Sequence, residues 1–360
     1  MPFDPQKPYN DLPLLPPPVE LETRAVLKKA IAANKALAEL KGAGELIPNQ
    51  LILIQAIGLQ EAKLSSEIEN IVTTNDELYR AFADEGQRTN PHTKEVLRYK
   101  DALWHGYNAI RQENRPLTTR LYEEIYQIIK ETRAGLRSTP GTKLANSSHE
   151  VIYTPPEGEH VIREKLANLE QFLYARNDLD PLVKLAVMHY QFEAIHPFTD
   201  GNGRTGRILN ILYLIEEGLL DIPILYLSRY IIENKNPYYL GLRGVTEKST
   251  WEAWILYMLE AVEQTARMTR ERILAIRDQM NESIERVKMD LPKIYSKDLL
   301  ELLFRQPYCK IRFLEEAGIA QRKTAAYYLR ELERIGFLTP HKAGREVYFI
   351  NEPLLKILAS

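Results

Sequence analysis

The stretch His-Pro-Phe-Thr-Asp-Gly-Asn-Gly-Arg-Thr-Gly-Arg at residues 196–207 decides how the rest of this chain is interpreted. It combines a histidine, a carboxylate, three glycines and two arginines. Glycine loses more backbone entropy on ordering than any other residue, and arginine and aspartate are rarely buried without partners. Ordering such a stretch is costly in free energy if its role is only structural. We therefore interpret it as a loop that closes around an anion.

The flanking sequence predicts two buried helices. Apolar residues recur at three- and four-residue steps over 181–192, before the stretch, and continue over 208–215, after it. The glycines then lie in a tight turn at the start of the second helix, where free backbone N–H groups and the helix dipole attract anions. No strand is predicted before the glycines, which excludes a Rossmann turn and a Walker loop.

The polar side chains of the turn indicate phosphate chemistry. Arg204 and Arg207 are three residues apart on one helix face and are expected to hold phosphate oxygens in forked geometry. Asp200 is expected to hold Mg²⁺, which binds through one or two carboxylates plus substrate phosphates. His196 ends the first helix and is expected to take a proton from an incoming hydroxyl. Singly, these residues are typical of a cap, a turn and a solvated face; together, at fixed spacing, they favour a site.

The stretch resembles the complete motif of Fic-domain proteins, His-x-Phe-x-Asp/Glu-Gly-Asn-Gly-Arg-x-x-Arg. The resemblance implies transfer of AMP from ATP to a protein hydroxyl, with release of pyrophosphate. It implies that His196 is the base, that Asp200 binds Mg²⁺ and that Phe198 is a buried anchor of the loop. Related Doc proteins, which transfer phosphate instead, commonly carry lysine where this chain has Gly203, so this glycine favours nucleotide transfer.

The resemblance also assigns the phosphates of ATP. Gly201, Asn202 and Gly203 are implied to hold the α- and β-phosphates, and Arg207 the γ-phosphate. Tyr238-Tyr239 resembles an aromatic pair near the adenine in relatives, although such tyrosines are more often plain core residues. The nucleotide-binding set expected on these grounds is Asp200, Gly201, Asn202, Gly203, Arg204, Thr205, Gly206, Arg207, Tyr238 and Tyr239.

A second match lies upstream, in Leu-Ser-Ser-Glu-Ile-Glu-Asn. It resembles the family's inhibitory signature, Ser/Thr-x-x-x-Glu-Gly/Asn, with Ser65, Glu69 and Asn70 at the defined positions. Ser65 and Glu69 are four apart and share a helix face. In the family the glutamate pairs with the second arginine of the main motif, here Arg207. The alternative is a capping box, Ser66-x-x-Glu69, which marks a helix start; beside a full Fic motif, the inhibitory interpretation is favoured.

A third match is a β-prone segment that two prolines end. Val151, Ile152 and Tyr153 precede Thr-Pro-Pro. The segment resembles the family's flap, a hairpin that aligns the target protein by edge pairing. The residues before it, 141–149, depart from the commonest flap pattern.

Composition agrees with an enzyme that works in the cytoplasm. The chain has 360 residues, 44% apolar, enough for two or three domains. A net charge of −2 gives no overall attraction to nucleic acid or membrane. The single cysteine, Cys309, excludes an internal disulfide. The N-terminus lacks the pattern of a signal peptide, and the apolar runs are too short to span a bilayer.

The predicted fold class is mostly α, with a Fic helical core, a short β-hairpin flap and a C-terminal winged-helix domain. We expect a proline-rich lead at 1–20, an N-terminal helical region with the inhibitory motif at 21–110, a Fic core at 111–280 and the winged helix at 291–360. Further helices are predicted at 96–114, 117–137, 161–174 and 251–280.

The C-terminal region predicts three short helices, at 297–305, 311–317 and 322–335, and then a hairpin around Ala343-Gly344. Arg322 and Lys323 begin the helix that would read DNA in a winged helix. The basic excess is modest, so a protein-interaction or dimerisation role is favoured over DNA binding.

The sequence thus predicts an ATP- and Mg²⁺-dependent protein adenylyltransferase that modifies a Tyr, Ser or Thr hydroxyl of a partner or of itself. A homodimer and autoinhibition by Glu69 are also expected. Two alternatives stay open: an enzyme that removes AMP, with Glu69 positioning water, and a winged-helix DNA-binding regulator whose Fic core senses nucleotide.

Overall fold

Two helices without a polar face form the centre of the fold. α7 (Pro181–Ile195) and α8 (Asn202–Glu216) are buried along almost their whole length, as their near-continuous apolar sequences require. α7 begins with Asp180, whose side chain accepts from Leu182 N, and with proline in its first turn. It ends at His196, and Gly201 precedes α8; both have left-handed backbone angles. The loop of interest is therefore the short link between two core helices.

The computed structural model describes residues 3–84, 89–146, 148–176, 178–343 and 346–359. Within these ranges the chain is mostly helical, and the predicted fold class is confirmed. The helices before α7 are α1 (Arg24–Gly44), α2 (Gln50–Ile68), α3 (Asn75–Ala83), α4 (Pro91–Arg111), α5 (Thr119–Lys130) and α6 (Glu159–Tyr174). After α8 come α9 (Leu227–Glu233), α10 (Lys235–Lys248), α11 (Trp251–Asp290), α12 (Lys297–Arg305), α13 (Ile311–Glu316), α14 (Arg322–Arg334) and α15 (Glu352–Ala359).

The remaining helices pack around α7 and α8. α11, with 40 residues, lies along α1 and also contacts α7, α9 and α10. α4 and α5 pack against α8 from the other side, and α2 lies between α4 and α9. The end of α2 is thereby brought beside the first turn of α8, although the two are far apart in sequence.

The C-terminal end of α2 tests the interpretation of the Ser66-x-x-Glu69 pattern as a capping box. Glu69 is the residue that follows the last turn of α2, and Asn70 has φ of 61°. Ile71 N donates to Ser66 O, which closes the helix. The capping-box alternative is therefore wrong, because Ser66 and Glu69 lie at the end of a helix and not at its start. Asparagine suits this place because it tolerates the left-handed region better than most residues.

A short hairpin follows α5. β1 (Leu144–Ala145) pairs antiparallel with β2 (Val151–Tyr153), with Leu144 opposite Tyr153. The described part of the proline-rich N-terminal segment has several turns and neither helix nor strand, and it runs past this hairpin: Tyr9 N donates to Thr154 O at 3.0 Å. The ring of Phe3 stacks on that of Tyr153.

The C-terminal region has the order of a winged helix, α12, β3 (Tyr308–Cys309), α13, α14, β4 (Thr339–Ala343), β5 (Glu346–Ile350). The sheet order is β3-β5-β4, and all pairs are antiparallel. The predicted hairpin is present, but Gly344 in its turn lies outside the described residues. β3 and α15 are additions that the sequence patterns did not predict.

This region contacts both ends of the α2–α3 segment. Asn49, the N-cap of α2, donates to Glu301 Oε2 at 2.9 Å. Beyond α2, Tyr308 OH donates to Asp76 Oδ1 at 3.0 Å, and Lys310 pairs with Asp84. The C-terminal region is therefore attached to both ends of the segment that carries Ser65 and Glu69.

Several predicted helix bounds are wrong. The helix predicted at 117–137 ends at Lys130, because Glu131 takes a left-handed conformation with φ of 48°. The helix predicted at 96–114 begins earlier, at Pro91, after the cap Asn90. The helix predicted at 251–280 continues unbroken to Asp290. In the part of the chain that the structure describes, we find no helix whose length and apolar character suffice to cross a membrane.

Candidate active site

His196 lies where α7 ends, in a left-handed conformation with φ of 50°. Non-glycine residues rarely adopt this region, so neighbouring contacts must hold it there. Arg137 supplies them: its Nε donates to His196 O at 2.7 Å, and its Nη2 donates to Ile195 O at 3.2 Å. Burial of the imidazole, together with the Arg137 charge, lowers the pKa of His196 to about 4. The imidazole is consequently neutral at pH 7 and able to accept a proton.

The loop between α7 and α8 is closed by its own side chains. Asn202 Oδ1 accepts from Phe198 N, and Asn202 Nδ2 donates to Phe198 O, both at 2.8 Å. Phe198 is fully buried and stacks on Tyr126 with ring centroids 4.1 Å apart. Thr205 Oγ1 donates to Gly201 O at 3.0 Å. The side chains of Asn202 and Thr205 thus shape the loop, and the backbone N–H groups of the first turn of α8 remain for an anion.

Asp200 belongs to a chain of alternating charges. Its Oδ2 lies 2.6 Å from Lys130 Nζ, which also lies 2.8 Å from Glu95 Oε1. The same oxygen of Glu95 lies 2.6 Å from Arg204 Nη1. Burial raises the pKa of Asp200, but the Lys130 hydrogen bond and charge outweigh it, so the net pKa is lowered and Asp200 is anionic at pH 7.

Arg207 points away from Arg204 and into α2. Its Nε donates to Ser65 Oγ at 2.8 Å, and its Nη2 donates to Ser65 O at 2.8 Å and to Glu69 Oε1 at 3.0 Å. The Arg207 side chain is 1% exposed and that of Glu69 is 35% exposed. Burial disfavours the guanidinium, but the charge of Glu69 outweighs this, so the pKa of Arg207 is raised. The two arginines of the motif therefore have separate partners and do not form one fork.

Two glycines permit this close packing. A Cβ atom at Gly203 would overlap Glu69 Oε1 and lie 2.9 Å from Arg207 Nη1. A Cβ atom at Gly206 would lie 2.6 Å from Glu193 Oε1 and 3.0 Å from Phe192 Cδ1. Both positions need glycine because neighbouring groups approach the backbone, quite apart from any phosphate.

The tyrosine pair and Glu193 border the same space. Tyr238 is buried and its OH lies 2.9 Å from His189 Nε2, whereas Tyr239 is 41% exposed. Burial raises the pKa of Glu193 to about 7, against the lowering effect of the Arg207 charge. Burial raises the pKa of both tyrosines, and the Arg207 charge partly opposes this rise, so all these groups lie near one another.

The structure therefore brings His196, Asp200, Arg207 and Glu69 to one end of α7 and α8. The flap residues also reach this end: Tyr153 OH donates to Ala194 O at 2.8 Å, two residues before His196. Among the described residues, no group of three or more His, Cys, Asp or Glu side chains is arranged to hold a metal by itself. Asp200 is an exposed carboxylate at the loop, with 66% of its side chain exposed, which fits a metal that takes its other ligands from bound phosphates and water.

Sequence reasoning missed four residues that shape the site. Glu95, Lys130 and Arg137 come from other segments and contact the loop only through the tertiary fold. No local pattern identified them. Glu193 is different, because it lies in the last turn of α7, only three residues before His196, and is therefore close to the loop in sequence.

Family models cover most of this architecture. The Fic/DOC family N-terminal model matches residues 27–108, and the Fic/DOC family model matches residues 116–214, including all of 196–207. The chain belongs to the Fic/DOC family. The model for the C-terminal domain of SoFic-like protein adenylyltransferases matches residues 279–354 of this Fic chain.

Individual relatives match shorter parts. A probable protein adenylyltransferase of Aquifex aeolicus is 37% identical over 79 residues, which is 22% of this chain and 24% of that protein. A protein adenylyltransferase of Caenorhabditis elegans is 36% identical over 92 residues, 25% of this chain and 17% of that protein. The matched region thus spans about a quarter or less of these curated relatives.

Solved structures share the fold. A Fic family protein from Desulfovibrio desulfuricans aligns with a TM-score of 0.56 and 20% identity, over 93% of this chain and 98% of that chain. A Fic domain containing signaling protein from Bacteroides thetaiotaomicron aligns with a TM-score of 0.57 and 17% identity, over 69% of this chain and 97% of that chain. At these identities the likeness establishes the fold alone.

Proposed function

We propose that this chain is a protein adenylyltransferase, which moves AMP from ATP to a hydroxyl of a protein, and that Glu69 inhibits it. The observation that carries the proposal is the contact of Arg207 with both Ser65 and Glu69. Arg207 is the residue that the motif assigns to the γ-phosphate, and one guanidinium fork holds one anion well. A neutral His196, an anionic Asp200 and the closed loop between them support the same chemistry.

The reaction needs one proton acceptor and one anion site. A Tyr, Ser or Thr hydroxyl oxygen of the target attacks the α-phosphorus of ATP and gives its proton to His196. A new P–O bond forms, the bond from the α-phosphorus to the bridging oxygen of the β-phosphate breaks, and pyrophosphate leaves. The N–H groups at Gly201, Asn202 and Gly203 hold the phosphates at the start of α8. The tyrosine pair, Tyr238 and Tyr239, borders the adenine ring of ATP.

Asp200 is the residue that holds Mg²⁺ in this proposal. The metal supplies charge neutralisation on the phosphates when it is bound. In the structure Asp200 pairs with Lys130, so this lysine must give up its contact or share the carboxylate. Arg204, paired with Glu95, contributes to binding indirectly by holding the first turn of α8.

The flap aligns the target. Val151, Ile152 and Tyr153 form a strand only three residues long, whose edge suits pairing with an extended peptide. The target is a second protein or another copy of this chain, and a homodimer is part of the proposal. We further propose a cytoplasmic location, where ATP is available, and the division into a lead at 1–20, an inhibitory region at 21–110, a Fic core at 111–280 and a winged helix at 291–360.

The decisive experiment incubates purified protein with α-labelled ATP, GTP, CTP or UTP and identifies products by mass spectrometry. We expect AMP on a hydroxyl residue, and more of it in a Glu69→Gly variant than in the wild type. Absence of any transferred nucleotide from both proteins contradicts the proposal. Release of AMP from a pre-modified protein, with no forward transfer, would favour the reverse enzyme instead.

A further inference from the structure

Arg137 is a buried arginine, 3% exposed, whose side chain donates hydrogen bonds to backbone carbonyl oxygens. Its Nε and Nη2 donate to His196 O and Ile195 O, and its own backbone N donates to Pro197 O at 2.9 Å. The carboxylate whose charge acts on Arg137 is that of Glu157, but among the described residues no hydrogen bond joins the two side chains. A buried cation with only carbonyl partners is unusual, because burying a charge is unfavourable without compensation.

The three carbonyl groups lie at and just beyond the end of α7. Ile195 O, in the last turn of α7, has no intrahelical donor, and His196 O and Pro197 O follow it in the loop. Arg137 donates to all three at once. It therefore fixes the backbone from which the His196 imidazole projects.

The same guanidinium reaches the flap. Arg137 Nη2 also donates to Pro156 O, three residues after the end of β2. One side chain thus joins the carbonyl end of α7 to the exit of the strand that is proposed to align the target.

We propose that Arg137 is a positioning residue that fixes His196 and the flap relative to each other, so that the base and the target hydroxyl are brought together. This inference rests on the proposed adenylyl transfer. The hydrogen bonds of Arg137 go to backbone carbonyl groups of residues 156 and 195–197 and not to Gly201, Asn202 or Gly203, so we expect it to act through backbone atoms and not through the nucleotide.

Charge gives the positioning role a measurable signature. The groups that act on the His196 imidazole are Arg137, which opposes its protonation, and Glu69 and Asp200, which favour it. Glu193 lies in the last turn of α7, and because burial raises its pKa to about 7 it is neutral over the acid limb expected near pH 4. Removing the Arg137 charge therefore raises the pKa of His196 and moves the acid limb of the rate profile to higher pH.

The test uses the full chain with Glu69→Gly, in which transfer is proposed to be released. Arg137→Gln is expected to lower kcat by about 10²-fold, the order of loss that a misplacement near 1 Å causes, with the nucleotide Kd unchanged. Arg137→Lys keeps the charge and is expected to retain the acid limb while recovering part of the rate. Arg133→Gln, at an exposed position in the same connection, is the matched control.

Two results overturn the proposal: a loss of nucleotide binding in step with kcat, or an unmoved acid limb in Arg137→Gln. A readout without catalysis separates this from the proposed function. In an NMR titration of the His196 imidazole, the Gln variant is expected to titrate at higher pH than the parent and the Lys variant, even in a chain that transfers nothing. An unchanged titration in a folded Gln variant contradicts the role of Arg137. If Arg137→Gln fails to fold, the Lys variant decides: a partly lowered kcat with an unchanged nucleotide Kd and acid limb supports the proposal, and an unchanged kcat, or a nucleotide affinity that falls in step with kcat, overturns it.

Discussion

Arg207 Nη2 donates to Glu69 Oε1 at 3.0 Å, and Gly203 leaves the gap that lets the carboxylate approach. Glu69→Gly is expected to raise transfer activity by about tenfold or more, because the freed guanidinium can hold the γ-phosphate in the productive pose. The measurement is autolabelling by α-labelled ATP, with melting temperatures alongside.

Glu67→Gly is the matched control for this variant. It makes the same substitution two residues earlier, in the last turn of α2, where glycine lowers helix propensity by roughly 1 kcal/mol and no contact with Arg207 is lost. Equal activation by both variants would show that loosening of α2, and not loss of the carboxylate, is responsible. A less stable Glu69→Gly protein with unchanged or lower labelling would sink the inhibitory interpretation.

His196→Ala is expected to abolish transfer and to leave ATP binding nearly intact. Loss of a general base typically costs on the order of 10²–10⁴ in rate. Labelling and nucleotide affinity are measured on the same preparation, with His160→Ala, at an exposed position on α6, as control. Undiminished labelling by His196→Ala contradicts the assignment.

The pH profile of the enzyme tests His196 without mutation. A base must be neutral to act, and burial with the Arg137 charge lowers the pKa of His196 to about 4. The rate should therefore stay level as pH falls from 8 through the ordinary histidine range and decline only as the pH approaches the lowered value. A half-maximal rate close to pH 6.5, the usual histidine pKa, would argue that another group titrates or that the imidazole is solvated.

Asp200→Ala is expected to remove the Mg²⁺ dependence along with activity, because the metal loses its carboxylate. A normal Mg²⁺ titration in this variant would exclude Asp200 as the ligand. The neighbouring variant Lys130→Met removes the cation 2.6 Å from Asp200 Oδ2. It is expected to lower the Mg²⁺ concentration that gives half-maximal rate, since protein and metal charges no longer compete.

The winged helix provides a test of the regulator alternative. Specific DNA binding would weaken steeply with salt, because phosphate contacts release counterions. We expect no specific DNA binding in an electrophoretic or fluorescence assay. A tight, salt-sensitive and sequence-selective complex that Arg322→Ala abolishes would overturn this expectation and favour a DNA-binding regulator.

The sequence predicted the loop between α7 and α8 well because its information is local. Apolar periodicity gave both helices, and the left-handed turns fall where His196 and Gly201 stand. The Ser65–Glu69 spacing likewise predicted one helix face, but it could not tell the start of a helix from its end. Asn70 resolves this ambiguity, because its positive φ marks the end of a helix, and that angle is known only from the structure.

Long-range partners lay beyond sequence reasoning. Arg204 looks like half of a phosphate fork, yet it pairs with Glu95, which lies 109 residues earlier. Lys130 and Arg137 both lie in the segment 117–137, which was predicted as one helix, but the helix ends at Lys130, and no glycine marks the left-handed residue, Glu131, that follows. These contacts depend on charge pairing, and no periodic pattern in a sequence identifies the partner of a charged residue.

The attachment of the winged helix to α2 and α3 has a thermodynamic consequence. Asn49 with Glu301, and Asp84 with Lys310, join this region to the segment that ends at Glu69. If ATP and Glu69 compete for Arg207, nucleotide binding biases the position of that segment. Consider a molecule whose affinity for the winged helix depends on that position. By linkage, this molecule changes the affinity of the chain for ATP by the same factor by which ATP changes the affinity of the chain for this molecule. Reciprocity of this kind would make the C-terminal region a sensor of nucleotide as well as a controller of the site.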